Sequence, residues 1–127
     1  MGKVRILLAD DQPKLLKPVQ TLLESTFDVL GCVGDGESLF EAAMRLEPNV
    51  IVSDISMPKL SGIQAAHRLR ESGCASKVVF LTVHEDPEIM QAALKAGALG
   101  YVLKRSIATD LLFAIDEVLA GRTFSSL

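Results

Sequence analysis

Cysteine is scarce in this sequence. The two present, Cys32 and Cys74, lie far apart with no CxxC or Cys/His spacing, which argues against a zinc site and a disulfide scaffold. They are expected to be buried or semi-buried thiols of a cytoplasmic protein. Charge of one sign is also lacking: 13 Lys+Arg against 16 Asp+Glu leave a formal net charge of -3. A general nucleic-acid or membrane binder would carry a basic stripe instead. No apolar run is long enough for a bilayer span, and the N-terminus has no signal-peptide pattern, so no membrane partner is expected. Internal repeats, low-complexity segments and linkers are absent as well.

What is present fits one domain over residues 1–127. Hydrophobic residues make up 49% and charged residues 23%, the balance of a globular protein. At this length roughly 65% of the unfolded surface can be buried, so a core forms without covalent or metal staples.

Short runs rich in Val, Ile and Leu begin near residues 4, 27, 49, 77 and 100. They have the composition of strands buried on both faces. The second is interrupted by Asp28 and Gly31, which suits an edge strand. Helical spacing fills the intervals. Leu15, Leu16, Val19, Leu22 and Leu23 form one stripe, and Leu39, Phe40, Ala43 and Leu46 form another that Pro48 closes. Ser61, Asp86-Pro87 and Ser106 are expected to start helices, and Gly73, Gly97 and Gly121 to stop them. Pro18 falls inside the first helix, where a lost hydrogen bond predicts a kink or a loosened first turn. Five strand–helix alternations predict a parallel sheet covered on both faces with right-handed crossovers.

Polar residues gather where these strands end: Asp10 and Asp11, Asp54, Thr82, and Lys104. In an open α/β sheet this edge is where ligands bind. Three carboxylates brought together repel, and one lysine cannot neutralise them. A hard divalent cation such as Mg2+ can, with oxygen ligands. A metal, a nucleophilic carboxylate, a lysine and a hydroxyl suit phosphoryl transfer to an aspartate. Taken singly, each residue has a plainer reading. Asp10-Asp11 could cap a helix, Asp54 could punctuate a loop, Thr82 and Tyr101 could be ordinary strand residues, and Lys104 a surface charge. His67, beside Arg68 and Arg70, belongs to a solvated face.

Together, Asp10-Asp11, Asp54-Ile-Ser-Met-Pro58 with Gly62, Thr82 and Tyr101-Val-Leu-Lys104 resemble the receiver domain of bacterial two-component response regulators. The resemblance covers essentially the whole chain. It implies a flavodoxin-like (βα)5 doubly wound parallel sheet of order 2-1-3-4-5. It implies that Asp54 accepts a phosphoryl group from a sensor histidine kinase. Asp11, Asp54 and the Ser56 backbone carbonyl would ligate Mg2+, with Asp10 acting through water. Lys104 and Thr82 would bind phosphoryl oxygens, and Tyr101 would turn inward as Thr82 moves. Ser56 and His84, each two residues beyond a site residue, would tune phosphoryl lifetime.

Two positions depart from the common pattern. Val83 replaces a small residue and would narrow access for small phosphodonors. Arg105 stands where many receivers have a cis proline, so the resemblance does not extend to a cis bond here, given its cost of about 3 kcal/mol. These features, with Leu60-Ser-Gly-Ile63 and Gly121-Arg-Thr-Phe124, are similar to the NarL/FixJ (LuxR-type) class. In that class a DNA-binding helix-turn-helix domain usually follows, so the chain is expected to be a receiver cut from a longer regulator, with DNA contact only through a domain outside it. Dimerisation on phosphorylation is a further implication of the resemblance. The last helix shows no clear apolar seam for it.

The leading expectation is a signalling switch without turnover of an outside substrate, hence not an enzyme. A phosphorylation-independent interaction module is the alternative, against which Asp54, Thr82 and Lys104 all speak. An aspartate phosphatase would carry a second acid where Ser56 stands, and a flavin carrier would not place Asp10-Asp11 against a phosphate.

Overall fold

The computed structural model describes residues 2–127. Strands β1 (Arg5–Ala9), β2 (Asp28–Val33), β3 (Val50–Ser53), β4 (Lys77–Thr82) and β5 (Gly100–Leu103) alternate with helices α1 (Pro13–Glu24), α2 (Gly36–Leu46), α3 (Gly62–Glu71), α4 (Pro87–Lys95) and α5 (Ile107–Leu119). A two-residue strand β6 (Phe124–Ser125) follows. The sheet runs β2-β1-β3-β4-β5-β6, and every pair is parallel. The fold is thus the flavodoxin-like receiver arrangement with one short strand added.

Alternation along the strands divides the core. Leu7, Ala9, Ile51, Phe80 and Leu103 face α2, α3 and α4, while Ile6, Leu8, Val52, Leu81 and Val102 face α1 and α5. Both layers are almost wholly aliphatic, and truncating one such residue to alanine costs about 2–5 kcal/mol.

Local chemistry sets the element ends. Ser61 accepts from the Gln64 N–H at 3.1 Å while the Gln64 side chain accepts from the Ser61 N–H at 2.9 Å, a complete capping box. Asp86 caps α4 through the Glu88 N–H at 2.8 Å. At the other ends, Gly73, Gly97 and Gly121 have φ of 79°, 106° and 83°. Each makes the paired hydrogen bonds of a Schellman stop: Cys74 N–H to Leu69 and Gly73 N–H to Arg70, for example, at 3.0 and 3.1 Å. Only a residue without Cβ adopts this φ freely.

Several expectations need correction. Ser106 makes no side-chain cap; a 3-10 turn, Lys104–Ser106, leads into α5 instead, and the Ser106 carbonyl accepts from Thr109 Oγ1. Helix α1 runs continuously through Pro18, which lies exposed on its solvent side. Cys32 is exposed, because β2 is an edge strand; Cys74 is half-buried as anticipated. All described peptide bonds are trans, including the one at Arg105. Strand β6 was not foreseen. It is held by Phe124 and Ser126 N–H bonds to Leu99 and Tyr101 carbonyls, and by the Ser126 hydroxyl donating to Asp110 at 2.7 Å.

Candidate functional site

The end of β1 delivers two acids. Asp10 is 4% exposed, and its N–H donates to the Val33 carbonyl of β2. Its Oδ1 accepts from the Gln12 N–H at 2.9 Å. Asp11, one residue further, is exposed to solvent. The end of β3 delivers Asp54, whose N–H donates to the Ala9 carbonyl of β1 at 2.8 Å. This bond locks the two acidic strand ends side by side. Asp54 Oδ1 accepts from the Ile55 N–H at 2.7 Å. One oxygen from each of Asp10, Asp11 and Asp54 falls within a sphere of mutual separations under 4.8 Å.

Lys104, at the end of β5, reaches across the sheet. Its Nζ donates to Asp10 Oδ2 at 3.0 Å and to Asp54 Oδ2 at 3.2 Å. Burial alone would lower its pKa, but the hydrogen bond to Asp10 and the charge of Asp54 outweigh this and hold it above the usual lysine range. One ammonium faces three carboxylates, so the cluster keeps an excess of negative charge. Oxygen donors this close, with that excess, fit a hard divalent cation.

Thr82, at the end of β4, is fully buried, and its hydroxyl accepts from the His84 N–H at 3.1 Å. His84 ties three groups together. Its ring Nε2 is hydrogen-bonded to Ser56 Oγ at 2.9 Å, and its carbonyl accepts from the Tyr101 hydroxyl at 2.9 Å. Tyr101 is fully buried, and burial together with Asp86 keeps its phenol protonated to higher pH than usual. The bond to the His84 carbonyl holds the Tyr101 ring on the buried side of β5. Thr82 and Tyr101 therefore join the cleft through His84 and not as separate parts.

The cleft itself, about 250 Å³, is lined by Asp11, Gln12, Leu15, Asp54, Ser56, Val83, His84 and Lys104. Sequence reasoning missed Gln12 and Leu15; the only signal was their place beside Asp11 at the start of a helix. Val83 is 67% exposed and Leu15 50%, so the mouth has an apolar rim. His67 lies elsewhere, paired with Glu71 on the exposed face of α3. A roomier hollow of about 440 Å³ lies at the opposite edge of the sheet, beside Asn49 and Lys77, but no group of carboxylates lines it. Among the described residues, no helix is long and apolar enough to cross a membrane.

Comparison with known proteins agrees with this geometry. The family described as response regulator receiver domain matches residues 6–116. The chain is 41% identical over 125 residues to the uncharacterised transcriptional regulatory protein YvfU of Bacillus subtilis, covering 96% of this chain and 62% of that protein. It is 37% identical over 118 residues to the nitrate/nitrite response regulator NarL of Escherichia coli K12, covering 91% and 55%. It therefore spans little more than half the length of such relatives. Among solved structures, a two-component response regulator of the LuxR family from Aurantimonas sp. SI85-9A1 superposes with a TM-score of 0.91 at 30% identity, covering 97% of this chain and 89% of that one. A match that runs through all five strand–helix units leaves one conclusion: the chain belongs to the response regulator receiver domain family, akin to NarL and LuxR-type regulators and not to classical enzymes.

Proposed function

We propose that this receiver is switched by phosphorylation of Asp54, with the phosphoryl group supplied by a sensor histidine kinase. The observation that carries the reading is the meeting of Asp10, Asp11 and Asp54 within 4.8 Å under the Lys104 ammonium. Asp54 is the nucleophile: a carboxylate oxygen forms the new P–O bond as the donor's P–N bond breaks and its imidazole leaves with the electron pair. Asp11, Asp54 and the Ser56 backbone carbonyl would hold Mg2+, with Asp10 behind them. Bound there, Mg2+ would supply charge neutralisation for the phosphoryl oxygens.

Lys104 changes partners in this reading, from a carboxylate oxygen to a phosphoryl oxygen. The Thr82 hydroxyl, whose proton is not committed to the bond it accepts from His84, donates to another. Moving Thr82 pulls on the His84 backbone, and through the His84 carbonyl on Tyr101. A local change of charge is thus passed to the β4–α4 loop and the face built from α4, β5 and α5. Ser56 and His84, hydrogen-bonded over the cleft, would set how readily water reaches the aspartyl phosphate. The output we infer is control of transcription in the cytoplasm, since the relatives are named as transcriptional regulators. Pairing of two phosphorylated copies is part of this proposal.

The test is incubation with Mg2+ and acetyl phosphate, followed by intact mass and mapping of the labelled residue. Labelling of Asp54 that needs Mg2+ and disappears in a folded Asp54→Ala variant is the expected result. Labelling elsewhere, or none from either acetyl phosphate or a phosphohistidine donor, refutes it.

A further inference from the structure

The loop from β3 to α3 carries both Asp54 and Ser56, and two glycines grip it. Gly36, the first residue of α2, is buried and donates its N–H to the Pro58 carbonyl at 3.5 Å. A Cβ on Gly36 would lie 1.9 Å from the Leu60 carbonyl oxygen and 2.6 Å from Leu60 Cβ. Gly62, at the far end of the loop, donates to the Ile55 carbonyl at 2.8 Å, and a Cβ there would lie 2.1 Å from the Asp54 carbonyl oxygen. Neither glycine has a positive φ, so close backbone approach is what requires them.

Helix α2 cannot easily retreat from this contact. Leu39, Ala42 and Ala43 seat it in the core. Its start is capped by Asp35, which accepts from the Ser38 N–H at 2.8 Å. Its end is held by the Arg5 guanidinium, which donates to the Leu46 and Glu47 carbonyls at 2.6 and 3.0 Å. The loop, by contrast, is exposed at Ser56, Pro58 and Lys59. A side chain at position 36 would therefore displace the loop and leave the helix in place.

We propose that Gly36 is a positioning residue for the phosphoryl-transfer site. It acts through Leu60 to fix the height of the loop over 54–61, and with it the aim of the Asp54 carboxylate and the Ser56 carbonyl. This rests on the assignment of that cluster as the Mg2+ and phosphoryl site. Gly36 does not line the cleft, so its effect is that of a support behind metal ligands. Loss of such supports typically costs 10–100-fold in metal affinity.

The experiment compares Gly36→Ala with Gly100→Ala, whose added Cβ meets the Val79 side chain at 2.9 Å in the core and so strains the fold without touching the loop. Mg2+ is titrated while the Ile55 amide resonance is followed, since that N–H bonds Asp54. Hydrogen exchange at the Gly62 N–H is measured without metal. Gly36→Ala is expected to weaken Mg2+ binding roughly tenfold and to speed Gly62 exchange. Gly100→Ala should keep wild-type Mg2+ affinity at comparable loss of stability. Should Gly36→Ala fail to fold, Leu60→Gly loosens the same contact without a clash and is expected to weaken Mg2+ binding likewise. Wild-type affinity and exchange in the position-36 and position-60 variants, or equal weakening in Gly100→Ala, overturns the proposal. If the wild-type protein binds no Mg2+, the functional assignment fails instead, and Gly62 exchange alone still decides whether Gly36 fixes the loop.

Discussion

Replacing Lys104 with methionine keeps most of the side chain's length and removes the cation paired with Asp10 and Asp54. The two ion pairs, at 3.0 and 3.2 Å, each correspond to a Coulomb attraction of about 5 kcal/mol at an effective dielectric of about 20. Most of that attraction only offsets desolvation, since the lysine side chain is 17% exposed and Asp10 just 4%. Removal, however, leaves buried carboxylates facing one another, and breaking a buried pair in this way costs about 3 kcal/mol or more. Lys104→Met is therefore expected to lower the unfolding free energy by about 3 kcal/mol in metal-free buffer at neutral pH. Added Mg2+ should restore much of the loss, because a cation that binds only the folded state at a hundred times its dissociation constant adds about 2.7 kcal/mol. In the wild-type protein the same ion pairs give a pH dependence at the alkaline end. The Lys104 pKa is raised on folding, so its contribution is complete below the unfolded lysine pKa and is lost as pH rises through the folded one. Urea denaturation with and without Mg2+ measures all of this. A variant with wild-type stability and the wild-type response to Mg2+ would refute the claim that Lys104 holds the acids together.

Val83→Ala removes apolar bulk from the rim of the cleft, so phosphorylation by acetyl phosphate should speed up while transfer from a histidine kinase changes less; equal rates in both assays count against a gate at this position. Ser56→Ala and His84→Ala separately break the 2.9 Å bond between those side chains, and each is expected to change the rate of autodephosphorylation, read by loss of label from Asp54. Unchanged rates would remove both residues from that role. Ser61→Ala deletes the capping box of α3 and should cost about 1 kcal/mol in urea denaturation.

Much of this was legible in the sequence because the signals were local. Val- and Ile-rich runs marked the strands, and Gly73, Gly97 and Gly121 marked helix stops, since glycine adopts their positive φ without strain. The acids at the ends of the first and third strands were visible as charges following buried runs. What escaped was fixed by tertiary geometry. Strand β6 is two residues long and exists through bonds to β5 that no periodicity announces. Arg5 lies within the first apolar run, yet its guanidinium closes the end of α2. The link His84 makes between Thr82 and Tyr101 runs through its backbone N–H and carbonyl, which every residue has, so its residue type gave no hint of it. Cys32 looked like a core thiol by type and is exposed by position.

The site draws its partners from widely separated parts of the chain. Lys104 is 94 residues from Asp10 and 50 from Asp54, and both contacts wait on a parallel sheet that is complete to β5. Loop closure over such separations comes late and slowly in folding. Under the proposed function, competence to accept a phosphoryl group is thus a property of the finished sheet alone. An emerging or partly unfolded chain holds every acid it needs and would still carry no signal, so the pool of labelled molecules would count only native ones.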